Sequence, residues 1–355
     1  MKLVIAGGGT GGHVFPALAI AREWLRRGRD REVVMVGTER GLEAKLVPAA
    51  GLPLETIRVA GLKGIGGFRL LRNLALLPVA LAEAARLLRR HRPAVTLGVG
   101  GYASGPVLLL ARMQGLPTVI FEPNAAPGFT NRLLGPLVDG VVTAFPQGDY
   151  WGARARQTGC PVREQFFRVP PRRHRAPFTL LITGGSQGAQ ILNRTVVEAL
   201  PQLERFREQL FFIHQTGERD YNAVREAYAA RKLAAEVVPF IEDMAQCMAR
   251  ADLLVSRAGA VTLAEIAAAG RAAILVPFGA ATEGHQLRNA QWFATAGAAR
   301  LIPQEELTAE RLAEAITALL TQPEQITALE QRVCALARPR AAEAIVDFLE
   351  EKVRR

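Results

Sequence analysis

The sequence is short of cysteine, aromatics, acid and long apolar runs, and each shortage excludes something. Three cysteines, Cys160, Cys247 and Cys334, occur in 355 residues, and none belongs to a CxxC pair. So sparse and odd a set excludes a disulfide framework and a cysteine zinc site, and it predicts a reducing compartment. Aromatics make up 6%, so the core must be built from Leu, Val, Ile and Ala. No stretch reaches the ~18 uncharged apolar residues of a spanning helix. The apolar run before Gly7 is too short for a secretion-signal core. There is no GxxxxGK[ST] loop, which excludes P-loop triphosphate hydrolysis, and no DxD pair to chelate a metal-bound nucleotide.

Acid is outnumbered, with 44 Lys and Arg against 33 Asp and Glu, a net charge of +11. Such an excess points to an anionic partner: nucleic acid, a phosphorylated substrate or an anionic membrane face. The basic residues do not interleave with aromatics and no recognition motif is visible, which speaks against nucleic acid. With 49% hydrophobic residues, a disordered chain is excluded. The length suits two domains.

The chain alternates short apolar runs with helical patterns. Residues 2–6 read as a buried strand, 7–12 as a glycine-rich turn, and 13–27 as a helix with Val14, Leu18, Ala21 and Leu25 on one face. Further strands are expected at 32–36, 95–99, 118–121 and 140–143. Prolines and an Arg-His run between 157 and 177 break the rhythm and read as a linker. It then restarts with a strand at 178–182, a glycine turn at 184–188 and a helix at 189–200. Strands follow at 210–214, 236–239, 253–256 and 273–276. This pattern predicts an α/β protein of two doubly wound, Rossmann-like domains with parallel sheets.

Three regions could carry chemistry. Within GGGTGGH, residues 7–13, Gly7, Gly9 and Gly12 satisfy GxGxxG, a turn that brings backbone N–H groups to a phosphate or sugar. The acid a dinucleotide site wants at the end of the second strand is matched only loosely by Glu39. His13, at the helix start, is placed to move a proton near a ligand, or it bonds a carbonyl. GGSQGAQ, residues 184–190, suits a diphosphate bound without metal, with Ser186 offering a hydroxyl. In SRAGAVTLAEIAAAG, residues 256–270, Glu265 either grips ribose hydroxyls or forms a capping box with Thr262 as N-cap. His285, Gln286 and Asn289 follow a loop and open another helix.

Together these residues resemble the MurG family of glycosyltransferases over nearly the whole chain. The motifs are GGGTGGHVFPALA, GGYASGPV, FEPNAAPG and CPVR in the first half. GGSQGAQ, FIEDM, RAGAVTLAEIAAAG and HQLRNA follow in the second. The resemblance implies the two-domain GT-B architecture facing across a cleft, with domains at 1–160 and 164–337 and a final helix, 339–355, returning to the first. It implies inverting transfer of N-acetylglucosamine from UDP-N-acetylglucosamine to lipid I, with no cofactor or metal. By motif position the substrate-binding residues would be Thr10, Gly11, Gly12, Asn124, Arg163, Ser186, Ile241, Ala260, Val261, Thr262, Leu263, Ala264, Glu265 and Gln286. His13 is the candidate base and Glu122 the reserve. Cys160 stands where the family usually has Asn, and Pro123 where it often has Gln.

Residues 63–92 set leucines at helical spacing among Lys63, Arg69, Arg72, Arg86, Arg89, Arg90 and Arg92. Such a segment suits an anionic membrane surface; a core-facing helix with a solvated basic face is the plainer reading. Pro78 is expected to kink or interrupt it. With the resemblance, this places the protein peripherally on the cytoplasmic face of the bacterial inner membrane, beside other cell-wall synthesis proteins. The competing readings are a UDP-N-acetylglucosamine epimerase, another GT-B glycolipid transferase, an NAD(P)-dependent oxidoreductase on the first glycine loop, and a non-catalytic nucleotide-sugar sensor.

Overall fold

The computed structural model describes residues 1–60, 73, 75–147, 150–185, 188–279 and 284–354. The chain divides into two compact units, Met1–Val162 with Arg338–Arg355, and Arg163–Ala337.

The first unit runs β1 (Lys2–Gly7), α1 (Gly11–Arg26), β2 (Glu32–Gly37), α2 (Glu43–Ala49), β3 (Leu54–Thr56), α3 (Leu77–His91), β4 (Val95–Gly100), α4 (Ser104–Met113), β5 (Thr118–Glu122), α5 (Phe129–Leu134), β6 (Gly140–Thr143) and β7 (Ala155–Gln157). Among the described residues its strands form one sheet in the order β3-β2-β1-β4-β5-β6-β7. Every pairing is parallel. Leu3, Val4, Ile5 and Ala6 of β1 are all buried, as a strand covered on both faces requires. Strand order reverses between β1 and β4, and ligands bind outside the strand ends at such a switch point.

Pro78 does not kink α3 but stands just past an interruption: helical residues 73 and 75 give way to a turn at Leu76, and α3 starts at Leu77. It sits in the helix's first turn, where its missing N–H has no partner to lose. The described face Ala80, Ala84, Leu87 and Leu88 packs into the core, while Arg86, Arg89 and Arg90 are exposed. Lys63, Arg69, Arg72, Leu70 and Leu74 lie outside the described residues. Among the described residues no helix is long and apolar enough to cross a membrane.

The second unit runs β8 (Phe178–Thr183), α6 (Gln190–Leu203), β9 (Leu210–Gln215), α7 (Tyr221–Ala230), β10 (Ala235–Val238), α8 (Met244–Arg250), β11 (Leu253–Ser256), α9 (Ala260–Ala269), β12 (Ala273–Leu275), α10 (His285–Thr295), β13 (Arg300–Leu301), α11 (Ala309–Thr321) and α12 (Pro323–Cys334). The strands again pair in parallel, in the order β10-β9-β8-β11-β12-β13, with the switch point between β8 and β11.

The segment expected as a linker is tied down from Arg163 onward. Phe166 is fully buried. Arg172 forks onto Asp252 at 2.9 and 3.1 Å, and His174 bridges Asp252 and Glu330 at 3.0 Å each. Asp252 has no exposed surface, and a buried carboxylate requires such partners.

The last helix, α13 (Ala341–Val353), belongs to the first unit. Arg27 reaches Asp347 at 2.5 Å, Arg31 reaches Glu350 at 2.8 Å, and Arg156 forks onto Glu351 at 2.7 and 2.8 Å. Because α13 covers its outer side, α1 buries more than one face. Ile20 and Trp24 join Val14, Leu18 and Ala21 inside, and Leu25 is only half-buried.

Candidate active site

Most of the described site residues lie in the loops and helix starts that follow the strands of the two sheets. In the first unit the loop after β1 meets the loop after β4. Gly8 N donates to Gly100 O at 3.2 Å. Gly100 has φ +95°, and a Cβ there would stand 2.8 Å from His13 Nε2. Only glycine leaves room for the imidazole.

His13 is half-buried in the first turn of α1. Its Nδ1 lies 3.0 Å from Gly8 O and 3.5 Å from Thr10 Oγ1. The ring therefore bonds a carbonyl, which can only accept, so Nδ1 carries the proton of this bond; in the neutral ring the lone pair then falls on Nε2. Thr10 and Gly12 are exposed and Gly11 is half-buried. Thr10 is the N-cap, but its side chain makes no cap bond, so it does not consume the helix's first N–H groups.

Glu39 is exposed. The acid that turns to this loop is Glu43, which the sequence reading missed. Its Oε2 accepts from Gly9 N at 2.7 Å, and its Oε1 accepts from Thr38 N and Thr38 Oγ1 at 2.9 Å each. Both oxygens of Glu43 are therefore occupied by the glycine loop and by Thr38.

Glu122 does not sit as a base would. It is 1% exposed. Asn124 N, Asn124 Nδ2, Gly128 N and Asn131 Nδ2 all donate to it, at 2.8–3.2 Å. Burial pushes its carboxyl above the ordinary value against the pull of those donors. Its carboxylate pins the loop that carries Asn124, whose carbonyl in turn accepts from Gln147 Nε2 at 2.8 Å. A base must reach the proton it removes, and here both oxygens of Glu122 are occupied in anchoring its own loop. Cys160 is buried, with Sγ 3.9 Å from Pro161 O.

In the second unit the glycine loop after β8 leads into α6, which has no side-chain cap bond. Gly188 has φ +72°, and a Cβ would fall 2.1 Å from Thr216 O, so the loop closes against β9 only with glycine. Ser186 lies outside the described residues. Gln215, also missed, is 2% exposed. It donates to Gly185 O at 2.8 Å and accepts from Ile241 N at 2.9 Å. One side chain thus joins the glycine loop to the loop carrying Ile241.

Of the two readings of Glu265, the capping box with Thr262 does not form. Helix α9 begins at Ala260, with Gly259 as an extended N-cap at φ −65° and ψ 141°. Thr262 lies inside the first turn and Glu265 in the second, so Glu265 cannot reach back to a cap N–H. No side chain caps this helix. Ala260, Val261 and Leu263 are buried, and Thr262 and Ala264 are half-buried. Glu265 turns to Arg163, whose Nη2 lies 3.4 Å from its Oε1. Burial pushes its carboxyl up to about 7, and Arg163 offsets part of that.

Gln286 braces two loops: its Oε1 accepts from Phe278 N at 2.9 Å and Ala258 N at 3.3 Å. Arg257, buried beside it, donates to the carbonyls of Val276 and Pro277 at 3.1 and 3.2 Å. Burial pulls its guanidinium down to about 10. The second unit thus offers two uncapped helix N-termini and a buried acid, a set suited to an anion and vicinal hydroxyls without metal ligands.

Two parallel, doubly wound sheets with glycine loops at their switch points define a protein built from paired Rossmann-like units. Comparison narrows that class. Residues 3–143 match the glycosyltransferase family 28 N-terminal domain and residues 179–345 match its C-terminal domain. The chain belongs to glycosyltransferase family 28. It is 50% identical to the UDP-N-acetylglucosamine--N-acetylmuramyl-(pentapeptide) pyrophosphoryl-undecaprenol N-acetylglucosamine transferase of Anaeromyxobacter sp. (strain Fw109-5), covering 100% of this chain and 94% of that protein. It is 46% identical to the protein of the same name from Myxococcus xanthus, covering 98% and 92%. The crystal structure of Acinetobacter baumannii MurG matches with a TM-score of 0.82 at 32% identity, covering 99% of each chain.

Proposed function

We propose that this protein transfers N-acetylglucosamine from UDP-N-acetylglucosamine to the muramyl sugar of lipid I, the undecaprenyl-diphosphate-linked MurNAc-pentapeptide, giving lipid II for peptidoglycan. The observation that carries this is 50% identity, along the whole chain, to a relative named for that transfer.

In this reading the second unit holds the donor. The diphosphate lies at the N-termini of α6 and α9, Glu265 accepts from ribose hydroxyls with Arg163 beside it, and Ser186 adds a hydroxyl. Gln286 and Gln215 hold the loops in place, the latter through Ile241. The first unit holds the acceptor at Thr10, Gly11, Gly12 and Asn124. Inversion proceeds in one displacement. His13 Nε2 takes the proton of the acceptor hydroxyl, whose oxygen bonds the anomeric carbon. The bond from that carbon to the diphosphate oxygen breaks, and UDP leaves with the electron pair. The two helix N-termini stabilise the charge that develops on the leaving diphosphate, and a positioned base contributes about 10²–10⁴ in rate.

The acceptor's lipid stays in a bilayer, so the protein works peripherally at the cytoplasmic face of the inner membrane, among other cell-wall synthesis proteins. The exposed basic face of α3 suits anionic headgroups. The test is turnover of labelled UDP-N-acetylglucosamine with a lipid I analogue. Labelled lipid II is the expected product. An epimerised nucleotide sugar without lipid II would overturn the transferase reading in favour of the epimerase.

A further inference from the structure

Two hydrogen bonds at the first glycine loop share one peptide group. Gly9 N donates to Glu43 Oε2 at 2.7 Å, and His13 Nδ1 donates to Gly8 O at 3.0 Å. The Gly8 carbonyl and the Gly9 N–H are the two ends of the same peptide unit. We infer that Glu43 is a positioning residue for His13, acting through the Gly8–Gly9 peptide to hold Nδ1 protonated and leave the lone pair on Nε2. This rests on the reading of His13 as the base.

The carboxylate is built in. Glu43 is 1% exposed, and its other oxygen is held by Thr38 N and Thr38 Oγ1. Three glycines make its space: Gly8 after β1, Gly37 at the end of β2 and Gly41 in the loop that follows. A Cβ on Gly8, Gly37 or Gly41 would fall 2.2, 2.4 or 2.1 Å from Glu43 atoms. Burial alone would raise the carboxyl, but the donors of Gly9 and Thr38 outweigh it and hold the carboxyl below its ordinary value. On the far side, a Cβ on Gly101 would stand 2.5 Å from Gly8 O. The β4–α4 loop is therefore stripped to backbone where it passes the shared peptide.

A negative charge on the N–H side of an amide draws electron density onto its carbonyl oxygen. Hydrogen bonds in such a chain strengthen one another, by about 10–30% each. Gly8 O is thereby a better acceptor for Nδ1–H than an ordinary carbonyl. The logic is that of the carboxylate that holds a catalytic histidine in one tautomer in acyl-transfer triads, here with a peptide group interposed. No proton leaves Nδ1 and Glu43 touches no substrate.

The test is nitrogen-15 spectroscopy of the full chain, with the His13 ring signals assigned by their loss in His13→Asn. In the wild type Nδ1 should be protonated and Nε2 should have the shift of a bare ring nitrogen. Glu43→Gln keeps the volume but loses one acceptor oxygen. Its Nε2–H tautomer should rise severalfold, and kcat should fall roughly tenfold, one factor-of-ten step in barrier, with UDP affinity unchanged. Wild-type His13 protonated mainly on Nε2 overturns the inference, as do unaltered ring shifts in Glu43→Gln. Should Glu43→Gln not fold, the wild-type Gly9 amide proton still decides: a charge-assisted bond this short requires a strongly downfield resonance, and an ordinary position overturns it. The ring shifts report the tautomer whether or not His13 is the base, so failure of this relay and failure of the base reading are told apart.

Discussion

Arg163 sets a guanidinium nitrogen 3.4 Å from a Glu265 oxygen, and the two side chains differ in exposure, at 34% and 13%. The cation stands at the rim while the acid lies deeper, so Arg163 lowers the carboxyl less than burial raises it, and Glu265 sits at about 7.

UDP binding should therefore depend on pH. Ribose hydroxyls donate to the ionised carboxylate, so the affinity should rise with pH through 7 and weaken by up to about tenfold per unit below it. The stability of the free protein should run the other way. A carboxyl raised from its ordinary value contributes stability at low pH that is lost as pH rises through about 7. Calorimetric titration of UDP at pH 6, 7 and 8 checks the first point, and Glu265→Gln should remove this pH dependence.

Glu265→Ala should weaken UDP binding by about 1.5–3 kcal/mol, the range for a charge-assisted hydrogen bond. Because α9 starts at Ala260 and carries no capping box, the variant loses no cap. Its melting temperature should stay close to that of the wild type, and a markedly earlier melt with normal UDP binding would restore the capping role.

His174 links Asp252 and Glu330 inside the second unit, and those hydrogen bonds raise its ring to about 9. Stability from a raised histidine is fully present below about 6.5 and disappears as pH rises through 9. The melting temperature should fall over that window. His174→Leu should cost roughly 3–5 kcal/mol by leaving buried acid short of a cation, on the order of 10 °C, and should flatten the decline.

What the sequence disclosed and what it hid divide along physical lines. Buried parallel strands are continuous apolar runs, so residues 2–6, 140–143 and 253–256 were readable, and so were both glycine turns. Thr262 and Glu265 have capping-box spacing, but that spacing recurs one turn inside any helix. The start is set by extended Gly259, which the pattern does not mark. Glu43 acquires its role only when Gly8, Gly37 and Gly41 close around it, and Asp252 only when Arg172 and His174 fold back. The burial of more than one face of α1 depends on a helix more than three hundred residues away in sequence. The basic residues of α3 were visible, but which face packs inward required the sheet.

Vesicle binding should require anionic lipid and decline with salt, each exposed basic residue contributing about 1 kcal/mol near the surface. Arg90 lies 3.3 Å from Glu55, so Arg86 and Arg89 are the sharper targets. Arg86→Glu with Arg89→Glu should lower cosedimentation with anionic vesicles, and unchanged cosedimentation would remove this helix as the anchor.

The division of labour between the two units is tested most directly by His13→Asn, measured for both kcat with a lipid I analogue and affinity for UDP. Asn can keep a hydrogen bond to the glycine loop but cannot take the proton. In this variant kcat should fall by about 10²–10⁴ while UDP binds as in the wild type. Near-normal turnover by His13→Asn, or a turnover loss matched by an equal loss of UDP affinity, would contradict that division.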